Sequence, residues 1–273
     1  MEALSSSDIS KLIYDKINSE KEHLMSCYNS TKSGIGYFYI DDLLPEELAK
    51  QCYDVFPDSS EMRELKSLRE YKHVSAQMNQ HNPLLEKVIY AFQEKNIVEL
   101  IGEICSAPSL FADDSLYAGG ISLMAQNNFL HPHLDNSHDA ERERWRVFNL
   151  LYYVTPDWQT DFGGHLELWP NGPKKEPLVV ESKFNRLVVM ATHDTSWHSV
   201  NKVMVDMSRC CISNYFFSDT PLKTTDKFHV TKFKGRPENK FTNIVLDVDS
   251  NLRMMLRKLF KKGVRKNPHI YKK

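Results

Sequence analysis

Apolar residues along this chain change period near Ser115, from helical spacing before it to alternation after it. Ile9, Leu12, Ile13 and Ile17 fall on one face of a helix that Ser7 or Asp8 can cap and that runs toward His23. A short β-rich run follows at 36–40, and Pro45 opens a helix through Cys52. Asn82-Pro83 starts a longer helix, in which Leu84, Leu85, Val88, Ile89, Phe92, Ile97, Leu100 and Ile101 keep the helical period. Between these helices, residues 61–80 are strongly polar and include Arg63, Lys66, Arg69, Lys72 and His73. This segment reads as a flexible or substrate-facing segment, with a solvated loop as the more ordinary reading.

Past Ser115 the pattern gives eight strand-like runs, at 116–124, 128–134, 147–154, 165–169, 177–181, 186–191, 198–203 and 208–217. Gly, Pro, Asn and Asp punctuate most of the gaps. Eight antiparallel strands in two facing sheets make a jelly roll. The fold class expected is therefore an all-β core with flanking helices (α+β), a cupin-like double-stranded β-helix. The expected division is 1–114 as a helical region with one strand, 115–220 as the β core and 221–273 as an extension. That extension ends in nine basic residues between Asn251 and Lys273, with Leu252, Met255, Leu256, Leu259 and Phe260 as an apolar stripe. It reads as a basic amphipathic helix docked on the protein.

Composition narrows the picture mainly by exclusion. The net charge of −1 gives no global field that would attract nucleic acid. No apolar run reaches the roughly 18 residues of a membrane span. The N-terminus lacks a basic segment followed by an apolar one, so no secretory signal is expected. Five cysteines, two of them adjacent at Cys210-Cys211, suit a reducing compartment better than a disulfide scaffold. The expected location is cytoplasmic; oligomeric state is not legible.

Candidate chemistry lies on the β-rich half. On a strand, residues i and i+2 face one side, so His133 and Asp135 can converge while Leu134 packs away. A third ligand must then come from another strand, and His198 is placed to supply it. Two imidazoles and one carboxylate form the set that holds non-haem iron(II) on one face. Arg209, on the strand-like run 208–217, would be a buried cation in need of an anion, and its fork suits a carboxylate. Two rival sites exist among these residues. His165-Leu166-Glu167 repeats the ligand spacing, but reads as ordinary strand sequence. His131-Pro132-His133-Leu134-Asp135 opens like a zinc-hydrolase motif, but Asn136 stands where that motif needs histidine.

At these positions the chain resembles the 2-oxoglutarate/iron(II)-dependent oxygenases, within their prolyl-4-hydroxylase-like group. The resemblance runs in order from about Tyr117 to Phe217 and includes His133-Leu134-Asp135-Asn136, Tyr152-Tyr153-Val154-Thr155-Pro156-Asp157-Trp158, Gly163-Gly164, Asn185-Arg186-Leu187 and Trp197-His198-Ser199-Val200. It implies that His133, Asp135 and His198 bind iron(II), with Arg209, Tyr153, Ser213 and Asn149 around 2-oxoglutarate as cosubstrate. Ascorbate is a candidate reductant. It further implies hydroxylation of an unactivated C–H bond, coupled to conversion of 2-oxoglutarate to succinate and carbon dioxide. Halogenating relatives lack the carboxylate ligand, so Asp135 favours hydroxylation. The expected substrate is a small molecule, with peptidyl proline as the alternative and a non-catalytic binding protein on the same fold as the rival class. Asn136, His138, Arg142, Arg144 and Trp197, which lie on or near the loop after Asp135 or beside His198, are the candidate substrate contacts.

Overall fold

A computed structural model of the protein describes residues 4–107, 109–237, 245–246, 249–250, 252–255 and 270–271. The N-terminal part begins with α1 (Ser6–Ser19) and α2 (Lys21–Thr31), then β1 (Tyr37–Ile40) and α3 (Glu46–Asp54). A hairpin of β2 (Arg63–Lys66) and β3 (Glu70–Ser75) precedes α4 (Pro83–Ala91), α5 (Lys95–Ile104) and β4 (Leu110–Ala112). The second half is β5 (Gly120–Met124), β6 (Phe129–Leu134), β7 (Trp145–Tyr153), β8 (Leu166–Leu168) and β9 (Leu178–Val180). It continues with β10 (Arg186–Ala191), β11 (His198–Val200), β12 (Arg209–Ser218) and β13 (Lys232–Phe233).

Helix boundaries follow local chemistry. Ser5 caps α1 in a reciprocal box with Asp8, so the cap lies just before the two residues expected for it. Ile9, Ile13 and Ile17 are fully buried, as their spacing predicts. The first helix nevertheless stops at Ser19 and restarts as α2, because Glu20 leaves the helical basin at φ −111°, ψ 9°. The long helix expected from Pro83 is likewise two, α4 and α5, with Glu94 extended between them at φ −60°, ψ 142°. At this break the Gln93 amide donates to the Asp113 carbonyl and to Asn214 Oδ1, fixing the corner onto the sheet side.

All strands join one curled antiparallel sheet in the order β1-β10-β7-β12-β5-β3-β6-β11-β8-β9, with β2 on β3, β4 on β12 and β13 on β6. The eight runs expected after Ser115 correspond to β5 through β12. The double-stranded β-helix architecture stands, and the helices pack against its outer face over a core that includes Phe92, Phe148, Tyr152 and Phe216. A second apolar cluster inside the roll joins Tyr153, Leu166, Leu168, Val188, Met190 and Cys211. All five cysteines are free, and Cys210 and Cys211 are buried.

Two expectations need correction. Residues 1–114 hold four strands, not one, and β1 and β3 are integral to the sheet. Residues 61–80 are not a solvated loop: β2 and β3 form a hairpin that pairs with β5 and β6. The hairpin was hidden because its sequence, from Arg63 to Lys66 and Glu70 to Ser75, is charged on both faces and so lacks apolar alternation. The basic tail expected as a helix lies largely outside the described residues; within it 252–255 are helical.

Candidate functional site

β6 and β11 pair so that His133 lies directly opposite His198. Asp135 follows β6 by one residue, on the same side as His133. The Nε2 atoms of both histidines face the Asp135 carboxylate, each 3.7 Å from one of its oxygens. Ligand atoms of the three residues all lie within 4.8 Å of one another, a spacing that could hold a metal ion. His133 Nδ1 is 3.0 Å from the His131 carbonyl, and His198 Nδ1 is 3.0 Å from the Ser196 carbonyl. A carbonyl only accepts, so each Nδ1 carries the proton and each Nε2 presents a lone pair to the site.

Electrostatics fit the same reading. Burial, reinforced by neighbouring His198, pushes the His133 pKa down to about 3, so the ring is neutral at ordinary pH. Burial opposes ionisation of Asp135, yet the pull of His198 and Arg146 outweighs it and holds the carboxyl below its usual range. Asp135 Oδ2 is buried without a hydrogen-bond partner. A buried carboxylate oxygen left in this way is costly unless something cationic completes it.

The three side chains open into a cavity of about 470 Å³. Arg209 lines it from the start of β12, 4 % exposed, its Nε unpartnered and its guanidinium 5.2 Å from the centroid of the Tyr153 ring. Among the described residues no carboxylate forms an ion pair with it. Tyr153, Ser213 and Asn149 line the same cavity. Burial raises the Tyr153 pKa, keeping its hydroxyl protonated. Ser213 donates to the Gly120 carbonyl, and Asn149 donates to Tyr215 Oη while its own Oδ1 stays unpartnered.

Of the candidate substrate contacts, the structure brings only Asn136 to this cavity, where its amide donates to Tyr117 Oη and the His138 carbonyl. The others do not line it. Arg142 stacks on Phe228 at 3.6 Å and Arg144 on Phe111 at 3.5 Å, so both guanidiniums are held by aromatic faces of flanking segments. His138 lies against Trp145 at 4.1 Å, and Trp197 is bound into the turn before β11, its carbonyl accepting from Trp169. The rival pair is also accounted for. Arg236 clamps Glu167 through two hydrogen bonds, at 3.1 and 2.6 Å, and Ser199 adds a third. His165 is held by the Thr160 carbonyl and the Ser182 amide.

Sequence reasoning missed Arg146. It is buried, lines the cavity, and places Nη1 3.9 Å from Asp135 Oδ1 with its guanidinium 4.6 Å from the Tyr215 ring centroid. A β-bulge explains the omission. Phe216 pairs with Phe148 but Phe217 pairs with Arg146, leaving Val147 as the extra residue. The bulge shifts the phase of β7, so Arg146 joins the face of Asn149, Leu151 and Tyr153. Only a cation abutting the apolar run at 147–154 hinted at this. The hairpin residues Arg63, Arg69 and Lys72 also line the cavity, as do Phe233 and Arg253.

Residues 119–217 match the sequence family described as the 2OG-Fe(II) oxygenase superfamily. The family uses iron(II) and 2-oxoglutarate. Over 85 residues the chain is 35% identical to prolyl 3-hydroxylase OGFOD1 of Mus musculus; the match covers 29% of this chain and only 15% of that protein. A prolyl-4-hydroxylase structure from Pseudomonas putida superposes with a TM-score of 0.51 at 17% identity, covering 71% of this chain and 98% of the other. SnoN, a non-haem α-ketoglutarate-dependent epimerase from nogalamycin biosynthesis, gives 0.52 at 12% identity, covering 82% and 87%. These two likenesses speak to the fold alone, and the same fold carries more than one chemistry. Among the described residues no helix is long and apolar enough to cross a membrane.

Proposed function

We propose that this chain is a 2-oxoglutarate- and iron(II)-dependent oxygenase that hydroxylates a prolyl C–H bond in a polypeptide. The observation that carries the reaction class is the pairing of two unmet needs in one cavity. Asp135 Oδ2 and two Nε2 lone pairs require a cation, and the buried Arg209 guanidinium requires an anion. Iron(II) and the far carboxylate of 2-oxoglutarate would meet those needs; with dioxygen as oxidant, the metal and cosubstrate would supply the conversion of C–H to C–OH, one oxygen atom entering the hydroxyl and the other the succinate formed as 2-oxoglutarate loses carbon dioxide. His133, Asp135 and His198 would hold the metal. Arg209 would bind the cosubstrate, with Tyr153, Ser213 and Asn149 shaping its pocket. The backbone carbonyls behind His133 and His198 fix their tautomers, so no reorganisation is needed when metal enters. The apolar cluster beneath, including Leu166 and Cys211, keeps water from the inner end.

The polypeptide substrate, preferred here to a small molecule, is supported by the prolyl hydroxylase relative and by a cavity of about 470 Å³ walled in part by the β2–β3 hairpin. Calorimetry should show one metal site, tested with manganese(II), and 2-oxoglutarate binding that depends on it. With iron(II), oxygen and a proline-containing peptide library, succinate release should rise together with a gain of one oxygen on a peptide proline. Metal binding without any effect of 2-oxoglutarate would sink the oxygenase reading.

A further inference from the structure

The outer end of the cavity differs in character from its floor. Four cations line it: Arg63 and Lys72 from the hairpin strands, Arg69 from the hairpin turn and Arg253 from the C-terminal segment. Two carboxylates accompany them. Glu70 lies 3.1 Å from Lys72, and Asp249 is shared by Arg69 and Arg253. This rim is electropositive on a chain whose overall charge is −1. A low-dielectric cleft focuses such a local excess onto whatever enters it.

The Asp249 arrangement shows what the rim holds. Its carboxylate bridges two guanidiniums, and both lie over the Phe233 ring, at 5.9 Å for Arg69 and 5.8 Å for Arg253. Phe233 in turn stacks on His133, with centroids 5.2 Å apart and an interplanar angle of 15°. One carboxylate is therefore already seated on this platform, one aromatic ring away from the candidate metal ligands. Arg63 and Lys72 line the same cavity, and the Lys72 charge is felt at His133 and Asp135. Beside the two arginines in sequence, Leu68 and Leu252 are 61% and 52% exposed.

From this geometry we infer that the rim selects polypeptide segments carrying Asp or Glu side chains close to the target proline, with Arg63, Arg69, Lys72 and Arg253 as the specificity-determining residues. The inference rests on the oxygenase reading and names its substrate class. A substrate carboxylate adds to the Arg69–Asp249–Arg253 cluster and to the Arg63 and Lys72 charges. Neighbouring apolar side chains cover Leu68 and Leu252. Lysine-rich segments are rejected, because like charges brought together at an interface are strongly unfavourable.

The test uses the full chain with manganese(II) and 2-oxoglutarate, without oxygen, so that binding is read apart from turnover. Three labelled peptides share a central proline and differ only in flanks of glutamate, glutamine or lysine. Fluorescence anisotropy should rank glutamate above glutamine by about tenfold or more, with lysine weakest, and the preference should shrink as salt rises. The substitution Arg63→Glu should weaken or invert the ranking while 2-oxoglutarate affinity, read on the same protein, changes less than about twofold. Equal binding of the glutamate and glutamine peptides overturns the inference, as does failure of all three to bind the loaded protein. An equal loss of peptide and 2-oxoglutarate affinity assigns the rim to the cosubstrate and also overturns it. If manganese(II) and 2-oxoglutarate do not bind in the first place, the oxygenase reading itself has failed, and this inference falls with it. The peptide ranking on the unsubstituted chain stands even if the variant fails to fold.

Discussion

Single residues at this site divide into those that await a ligand and those already satisfied, and substitution should separate the two. His133→Ala and His198→Ala remove an Nε2 lone pair from a prepared set; Asp135→Ala removes the only carboxylate. Each should abolish tight metal binding by calorimetry while the circular dichroism spectrum is kept. Glu167→Ala should behave in the opposite way. Its carboxylate is spent on Arg236 and Ser199, both within 3.1 Å, so its loss removes hydrogen bonds to a charged group while Arg236 keeps the Val200 carbonyl. Losing a hydrogen bond to a charged group typically costs about 1.5–3 kcal/mol, visible in the denaturation midpoint with metal affinity intact. Metal loss in Glu167→Ala with retention in Asp135→Ala would reverse the assignment. Arg209→Ala should raise the dissociation constant for 2-oxoglutarate by the equivalent of about 3–5 kcal/mol, because the cosubstrate carboxylate would be buried alone. Tyr153→Phe should cost about 0.5–1.5 kcal/mol, the worth of one hydrogen bond. The convergent triplet and Arg209 were legible because i, i+2 spacing on a strand survives without knowledge of the register. Arg146 was not, because one bulged residue at Val147 inverted the alternation on which the reading depended.

At the scale of elements, sequence and structure part where an element buries no continuous apolar face. β5, β6, β7, β10 and β12 bury apolar residues along their length, and the positions of β5 to β12 were legible to within a few residues. The β2–β3 hairpin turns one face toward a polar cavity and buries little apolar area on the other, so its polar sequence mimicked a loop. Its attachment depends on a glycine. Gly120 adopts φ +127°, and a Cβ there would lie 2.3 Å from the Ser75 carbonyl oxygen, at the end of β3 where it pairs with β5. Gly120→Ala must therefore strain the backbone and push β3 away, at a cost of about 1–3 kcal/mol. Hydrogen exchange should show faster exchange across 70–75, with β10 and β7, on the far side of β12, unchanged. Because the hairpin carries Arg63, Arg69 and Lys72, peptide binding should weaken more than 2-oxoglutarate binding. Uniformly faster exchange through the whole sheet would mean that the hairpin is no separate unit.

For the whole molecule, the change from helical to alternating period foretold the layering of helices on a curled sheet. What stayed hidden was that strands from both ends of the chain complete the sheet, β1 on β10 and β13 on β6, since such long-range pairing leaves no local mark. One consequence of this assembly is testable as a pH dependence. The turn after β10 and the segment leading to β13 bury His193 and His229. Burial pushes each pKa down to about 4 from an ordinary 6.5, further aided at His193 by Lys223. His193 Nε2 bonds the Ile35 carbonyl and its Nδ1 accepts from Thr195, so the neutral ring ties the N-terminal part to the roll. The unfolded chain binds a proton at each histidine as pH falls through about 6.5, whereas the folded chain resists until about 4. Stability from these groups is therefore complete above 6.5, is lost as pH falls toward 4, and levels off below. Each is worth on the order of 3 kcal/mol at pH 4. Asp226, whose carboxyl is raised by burial, works in the opposite sense and offsets part of the loss. Urea midpoints of the metal-free protein should drop steeply between pH 6.5 and 4.5. His193→Gln should be less stable at pH 7.5 but flatter across that interval, since it removes one proton-uptake site. An equally steep fall in the variant would remove His193 from the explanation and place the acid lability elsewhere in the fold.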